Sequence, residues 1–197
     1  MVVAAKDRPG LFADLALAIN SLGANVVGAR VFTSRAGQAL DAFYVQDITG
    51  QPFGCENPRA LRKLAETLGM AGRGETGKLE AARPTALGRA AAFSIAPSVA
   101  IDNDASEHST VIEASGRDRP GLMEALARIL SEANLSIQSA HIDGYGERAV
   151  DAFYVQKLRG GKLTDAKKIA ALKADLLAAM EPQDAAPARL KRARASA

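Results

Sequence analysis

Cysteine, histidine and long apolar runs are all scarce in this chain, and each scarcity narrows what the chain can do. Cys55 is the single cysteine among 197 residues, which excludes a disulfide within the chain and favours a reducing compartment. No apolar run approaches the roughly 18 residues that a membrane span needs, and no basic-then-apolar signal peptide opens the sequence. We therefore expect a cytoplasmic protein that does not enter a membrane.

The residue patterns that most enzymes use for catalysis or metal binding are also missing. The two histidines, His108 and His141, have no partner at metal-ligand spacing. The sequence contains no Cys-x-x-Cys pair, no His-Glu-x-x-His motif and no glycine-rich phosphate loop. Histidines in such contexts are typically surface or strand residues. We expect no catalytic residue, no metal site and no cofactor in this chain.

Charge gives little support for nucleic-acid binding. Lys and Arg number 25 against 22 Asp and Glu, and much of the resulting +3 lies in residues 189–194, so the rest of the chain is close to neutral. Some ferredoxin-like sheets bind RNA through aromatic-bearing strands. Here, the strands that carry Phe and Tyr start with Asp41 and Asp151, whose carboxylates would repel phosphates. We therefore predict no nucleic-acid partner.

One five-residue motif, Asp-Arg-Pro-Gly-Leu, occurs at residues 7–11 and again, unchanged, at residues 118–122. Each copy follows a short β-type run and opens an amphipathic helical pattern. Proline suits the first helical turn, and glycine lets another molecule approach the backbone. The unpaired N–H groups of such a helix start attract a carboxylate or a phosphate. An ordinary helix end binds only water, but the exact repetition favours a ligand site.

A second repeat, Asp-Ala-Phe-Tyr-Val-Gln at residues 41–46 and 151–156, reads as a strand in both copies. We expect Asp41 and Asp151 to pair with a nearby arginine or to cap a turn, not to act in catalysis. In the strand before each copy of this repeat, the apolar residues switch between even and odd positions, so an unbroken strand would place them on opposite faces. A β-bulge would restore a single apolar face, and we predict one at residues 27–28 and one at residues 138–139. Second helices are predicted at about residues 58–68 and 165–180.

Each copy thus reads β-α-β-β-α-(β), which predicts an α+β fold of two ferredoxin-like domains with antiparallel sheets and helices on one face. The second copy lacks an obvious last strand, and the sequence does not tell whether the two domains share one. The predicted parts are residues 1–69 plus a strand at 93–103 for the first domain, 70–92 for a mobile linker, 108–181 for the second domain and 182–197 for a disordered basic tail. Because Met1 precedes what looks like the middle of a strand, we expect the chain to be the C-terminal piece of a longer protein.

The polar residues around the two turns suit a zwitterion. The turn N–H groups would bind a carboxylate, and Asp7 and Asp118 could meet an ammonium group. We expect Asn25 and Ser136, which start the next strand of their respective copies, to lie beside the turn of their own copy. These features together point to an amino acid as the ligand.

These residues resemble ACT domains, which are amino-acid-sensing modules marked by an Asp-x-Pro-Gly-Leu turn and by a Gly/Asn-x-Asn-Ile type of start to the second strand. More narrowly, the chain resembles the tandem ACT-domain region at the C-terminal end of the bifunctional PII uridylyltransferase/uridylyl-removing enzymes. The supporting runs are residues 7–11, 23–26, 101–104, 117–122, 134–137, 140–142 and 145–151, together with the two Phe-Tyr-Val runs.

The resemblance implies a regulatory region that senses L-glutamine and controls uridylylation and deuridylylation of the nitrogen-regulatory PII protein. The nucleotidyltransferase and HD-type hydrolase domains, which use a divalent metal such as Mg²⁺, would lie upstream and are absent here. Implied partners are L-glutamine, the PII protein, the catalytic domains of the parent chain, and ACT–ACT pairing within or between chains. The alternative is a stand-alone tandem ACT protein that binds another amino acid or a protein partner.

The resemblance also implies the residues that contact the ligand. By position these are Asp7, Arg8, Gly10, Leu11 and Asn25, with Asp118, Arg119, Gly121, Leu122 and Ser136. Ser136 departs from the family pattern, which usually has asparagine there. The two sites are therefore expected to differ in affinity, or only one is expected to bind.

Overall fold

Two copies of one β-α-β-β-α pattern lie side by side in a single antiparallel sheet of seven strands that carries four helices. The computed structural model describes residues 1–81, 95–145 and 148–181. The elements are β1 (Val2–Lys6), α1 (Leu11–Ser21), β2 (Asn25–Thr33), β3 (Gln38–Gln46), α2 (Pro58–Gly72), β4 (Ser98–Asp102), β5 (Thr110–Arg117), α3 (Leu122–Glu132), β6 (Leu135–Tyr145), β7 (Arg148–Lys157) and α4 (Ala166–Met180). The predicted α+β, ferredoxin-like class is confirmed.

The strand order β1-β3-β2-β6-β7-β5-β4 joins the two copies through their second strands. In that central pair, Gly28 lies opposite Asp143, Arg30 opposite His141 and Phe32 opposite Ser139. The repeat offset of 118 − 7 = 111 makes Arg30 and His141 equivalent positions, so a pseudo-twofold axis passes through this pair. The two predicted sheets are therefore one sheet, and its halves are related by that axis.

The core lies between the sheet and the helices. Leu15, Ile19, Leu126 and Leu130 on α1 and α3 are fully buried, because their helical spacing puts them on one stripe. Each such side chain contributes roughly 1.5–3 kcal/mol through its removal from water. The helices α1 and α3 also contact each other, which brings the start of each helix close to the opposite copy.

Both predicted bulges are confirmed. The pairing register shifts between Val26 and Gly28 in one copy and between Ile137 and Ser139 in the other. Each bulge inserts one residue, so the apolar residues on both sides of it point to the same core. The parity change in the sequence has this physical cause.

The assignment of the predicted 93–103 strand to the first domain is wrong. The observed strand, β4, pairs with β5 of the second copy, with Ile101 opposite Ile112. A short turn forces this pairing, because the Asp102 carboxylate accepts hydrogen bonds from the N–H groups of Asp104 and Ala105, at 2.6 and 3.2 Å. The strand β4 thus occupies the sheet position of the missing last strand of the second domain, at the sheet edge where Pro97 is tolerated.

The predicted linker begins inside a helix. The helix α2 runs to Gly72, three residues into the predicted 70–92 linker. Residues 82–94, which include residues 82–92 of that linker and the first two residues of the predicted 93–103 strand, lie outside the described residues, as do residues 182–197, the predicted tail. Among the helices of the described ranges, none combines the length and the apolar character that a membrane crossing requires.

Candidate ligand sites between the two copies

Each Asp-Arg-Pro-Gly-Leu motif forms a tight turn that ends in a left-handed glycine at the start of a helix. Gly10 has φ 78° and Gly121 has φ 80°, values that favour glycine over every other residue. Each glycine is the residue before the first helical residue, and no side chain caps the N–H groups of the first turn. The Leu11 and Leu122 N–H groups donate to Arg8 O and Arg119 O within the turns, at 3.2 and 3.1 Å. The next two N–H groups of each helix have no acceptor inside the helix, so both turns offer donors and the positive end of a helix dipole.

Each turn lies against the helix end of the opposite copy. A Cβ atom placed on Gly10 would lie 3.1 Å from Ser131 Oγ, and one placed on Gly121 would lie 3.0 Å from Asn20 Nδ2. Ser131 and Asn20 are equivalent positions, since 131 − 20 = 111. A larger side chain at either glycine would therefore both strain the backbone and press on the neighbouring copy.

The first site contains a cavity of about 20 Å³, which is room for a water-sized group. Its walls come from both copies. They are Asp7, Arg8, Gly10, Leu11, Phe12, Ala13, Val31, Thr33, Ala39 and Asp41 of the first copy, with Ala127, Ser131, Leu135, Ser136 and Ile137 of the second. Four predicted contact residues of the first copy therefore line the same cavity as Ser136, a predicted contact residue of the second copy. They are Asp7, Arg8, Gly10 and Leu11.

The second site repeats this arrangement with the roles of the copies exchanged. One cavity of about 10 Å³ is lined by Asp118, Leu122 and Asp151 of the second copy and by Val26 of the first. A neighbouring cavity of about 10 Å³, which shares Val26 and Met123 with it, is lined by Gly121 and Asn25. Burial raises the pKa of Asp118, and hydrogen bonds from the Arg119 backbone N–H and from the Asn25 side chain offset only part of that rise.

The structure corrects the expected pairing of turns with polar residues. Asn25 lies at the turn of the second copy and Ser136 at the turn of the first, not each at its own. The cause is the β2–β6 pairing, which aligns the start of each second strand with the helix start of the other copy. Both predicted sites are therefore shared sites that require both copies.

The two predicted arginines do not direct their charge into these cavities. Arg8 lines the first cavity, but its guanidinium donates to Ala71 O and to the Asp14 carboxylate, both at 2.6 Å. The Arg119 guanidinium donates to Ala179 O at 2.7 Å. Each arginine thus satisfies a carbonyl near the C-terminal end of α2 or α4, where a cation also complements the helix dipole. This geometry gives both arginines a structural role.

Two carboxylates of the sites were not among the predicted contacts. Asp41 and Asp151 point from β3 and β7 into the core, and only 2% and 1% of their surface is exposed. Burial first, and then the charge of Asp7 or of Asp118, raises the pKa of each to about 7. The expected arginine partner is not found for either: the Asp41 carboxyl accepts a hydrogen bond from the Phe32 backbone N–H, while Asp41 Oδ1 and both Asp151 oxygens have no hydrogen-bond partner among the described residues. One feature of the sequence could have identified them as site residues, namely that each begins a copy of the identical Asp-Ala-Phe-Tyr-Val-Gln repeat.

Neither histidine belongs to a site. His108 is exposed beside Glu107, and His141 stacks edge-on against Tyr154 with 6.3 Å between ring centroids. Across residues 1–81, 95–145 and 148–181, no three His, Cys, Asp or Glu side chains are grouped so that they could hold a metal ion.

Comparison with known proteins identifies the sequence family. Residues 105–181 match the model of the ACR family N-terminal ACT domain. Over its full length, the chain is 70% identical to the bifunctional uridylyltransferase/uridylyl-removing enzyme of Caulobacter vibrioides and 66% identical to that of Phenylobacterium zucineum. The corresponding enzyme of Erythrobacter litoralis is 45% identical over 90% of the chain.

The chain spans only about a fifth of these relatives, namely 21%, 21% and 19% of their lengths. The matches cover both copies of the repeat and the segment between them. The resemblance read from the turns and strands is thereby confirmed: this chain belongs to the ACT-domain regions of the bifunctional uridylyltransferase/uridylyl-removing enzymes.

Proposed function

We propose that this chain is the amino-acid-sensing region of a bifunctional uridylyltransferase/uridylyl-removing enzyme, and that its ligand is L-glutamine. The observation that carries the proposal is the pair of equivalent sites between the copies. Each site combines uncapped helix N–H groups, which suit an α-carboxylate, with buried carboxylates, which suit an ammonium group. A zwitterion is complementary to both parts.

Glutamine is the amino acid that the family resemblance favours, and the neutral polar groups of the sites are compatible with its side-chain amide. Ser136 Oγ and the Asn25 amide can each donate and accept a hydrogen bond. Within this proposal, glutamine binding in the parent enzyme favours removal of uridylyl groups from the PII protein, and the ligand-free state favours their attachment. The ligand can bias the two activities only if it prefers one arrangement of the parent chain.

The position of the sites suits such a signal. Because each site is built from both copies, a ligand bridges the two halves of the sheet. Binding therefore stabilises one relative placement of α1 and α3, which contact each other beside the pseudo-twofold axis. The catalytic domains of the parent chain are the proposed receivers, and this chain itself is proposed to have no transferase or hydrolase activity.

The test is isothermal titration of the chain and of two glycine variants with L-glutamine. Gly10→Asp and Gly121→Asp place a negative charge where the α-carboxylate is expected, so each should abolish binding at its own site. Gly160→Asp is the matched control, because Gly160 has a similar φ of 84° and no atom within 4 Å of its Cβ position. Circular dichroism should show that all three variants remain folded.

The proposal fails if the variant with both Gly10→Asp and Gly121→Asp is folded and still binds L-glutamine like the wild type. It also fails if the control variant loses binding to the same degree. A panel of the other common L-amino acids, measured with the wild-type chain, would identify a different ligand for the same sites.

A further inference from the structure

Asp41 and Asp151 are costly residues for this fold, and the sites already described leave that cost unexplained. Each carboxylate sits among buried apolar groups such as Phe43 and Phe153, which are 1% and 0% exposed. Burial of an ionised carboxylate without a partner is among the most unfavourable events in folding. An asparagine or a serine would fill the same position at lower cost. A proton offsets this cost when the carboxyl is neutral, and a cation from outside the protein would offset it with the carboxyl ionised.

The charged neighbours in both cavities do not supply such a cation. In the first, Asp41 faces Asp7 and the Arg8 side chain, whose guanidinium is held by Ala71 O and by Asp14. Asp7 and Arg8 are the only other charged residues among the described lining residues of that cavity.

The second cavity is still more acidic. Asp151 faces Asp118 and Asp143, and Asp143 is bound to Arg30, whose guanidinium lies 2.9 and 3.2 Å from its two oxygens. The described lining residues of this cavity include no basic side chain. Each site thus places a buried carboxylate beside a second carboxylate. The charges of Arg8 and Arg119 favour ionisation of the second one, Asp7 or Asp118, whereas Asp41 Oδ1 and both Asp151 oxygens have no hydrogen-bond partner among the described residues.

The size and position of the cavities indicate what could lie there. Their volumes of about 20 and 10 Å³ admit one group of the size of water or ammonium. A primary ammonium is of that size, carries a full positive charge and has three N–H donors for the carboxylate oxygens around it. The helix N–H groups of the same turn remain available for an anion attached to that ammonium.

We propose that Asp41 with Asp7, and Asp151 with Asp118, each form a two-carboxylate receptor for the primary ammonium group of an α-amino acid. This assignment rests on the proposed function and adds to it the residues that select a free α-amino group. The remainder of the ligand extends towards the polar residues contributed by the opposite copy. Compounds that carry only a carboxylate and a side-chain amide are excluded, because they would leave both carboxylates without a cation.

Binding at such a receptor is coupled to a proton. In the empty site, burial and the neighbouring carboxylate raise the pKa of Asp41 and Asp151 to about 7, so each is partly protonated at pH 7. The arriving ammonium favours the ionised form, and the carboxyl proton passes to the buffer. Each occupied site therefore releases a fraction of a proton at pH 7. Affinity should rise between pH 6 and pH 8, before the ligand ammonium itself loses its proton.

The experiment compares L-glutamine with its deamino analogue, 4-carbamoylbutanoate, by titration calorimetry of the wild-type chain. We expect saturable binding of L-glutamine and no binding of the analogue. Titrations at pH 7 in phosphate and in Tris, which differ in ionisation enthalpy, should give different heats from which proton release is calculated. These measurements need no variant, so they test the assignment even if a substitution prevents folding.

The matched variants are Asp41→Asn and Asp151→Asn, which keep the side-chain shape, with Asp47→Asn as a control in an exposed turn away from both cavities. Each site variant should lower the L-glutamine affinity of its own site by about 30-fold or more. It should also abolish proton release at that site. Asp47→Asn should change neither.

The outcomes separate the two proposals. If L-glutamine binds, but the double Asp41→Asn/Asp151→Asn variant binds equally well or the analogue binds as tightly as L-glutamine, the ammonium assignment is overturned and the sensing function stands. If the folded wild-type chain binds none of the L-amino acids, the sensing function is overturned and this assignment with it.

Discussion

Asp151 should make this protein less stable as the pH rises through neutrality. Its pKa of about 7 in the folded protein compares with an ordinary value of 3.8, and the cause is burial next to Asp118 and Asp143. The folded state therefore binds a proton that the unfolded state releases near pH 4. The contribution of this group to stability is complete below pH 4 and is lost as the pH rises to 7.

The size of the effect follows from the same values. A difference of 7 − 3.8, or about 3 pKa units, corresponds to on the order of 4 kcal/mol of unfolding free energy. Asparagine has the same shape and no ionisable proton, so Asp151→Asn should remove this pH dependence. Any cost of burying its amide does not depend on pH. This constant cost therefore does not affect how the difference in unfolding free energy between variant and wild type changes with pH.

The assay is urea unfolding, followed by far-UV circular dichroism, of wild type and Asp151→Asn between pH 4.5 and pH 8.5. The stability of the variant relative to wild type should increase by several kcal/mol across this range, on the scale of about 4 kcal/mol set by the shift. A relative stability that stays constant with pH would refute the argument, since it would mean that Asp151 ionises in the folded protein as readily as in the unfolded chain.

Two further substitutions test how the fold is held together. Arg119→Met removes the hydrogen bond to Ala179 O and the positive charge beside Asp118. It should lower the unfolding free energy by roughly 1.5–3 kcal/mol in urea denaturation, while the folded variant still binds L-glutamine saturably in calorimetry; complete loss of binding by a folded variant would instead give this arginine a binding role. Phe153→Ala leaves a cavity at a fully buried position, so it should lower the unfolding free energy in urea denaturation by about 3–5 kcal/mol. A decrease below about 1 kcal/mol would show that Phe153 is not a central core residue.

Local sequence patterns predicted much of this fold because local forces determine those parts. The turns at Gly10 and Gly121 need a residue that tolerates positive φ, and the motif supplies it in both copies. The bulges at Val26–Gly28 and Ile137–Ser139 follow from a change of apolar parity within one strand. Each of these inferences required only neighbouring residues.

The errors concern contacts between parts that are distant in sequence. Because the two copies share the same local pattern, nothing within one copy tells whether Asn25 faces its own turn or the other. The same ambiguity placed the strand now called β4 in the wrong half of the sheet. The burial of Asp41 was missed because a carboxylate in a strand usually faces solvent or a basic partner. Only the packed sheet shows that it faces a cavity shared with Asp7.

The most direct test of the account is the stoichiometry of L-glutamine binding to the wild-type chain, measured by isothermal titration with D-glutamine and L-glutamate as controls. We expect saturable heat for L-glutamine, none for D-glutamine, and up to two ligands per chain, because the two sites between the copies are equivalent by the 111-residue repeat. Saturable heat that is the same for both enantiomers would contradict this expectation, as would the absence of any heat from a chain shown to be folded.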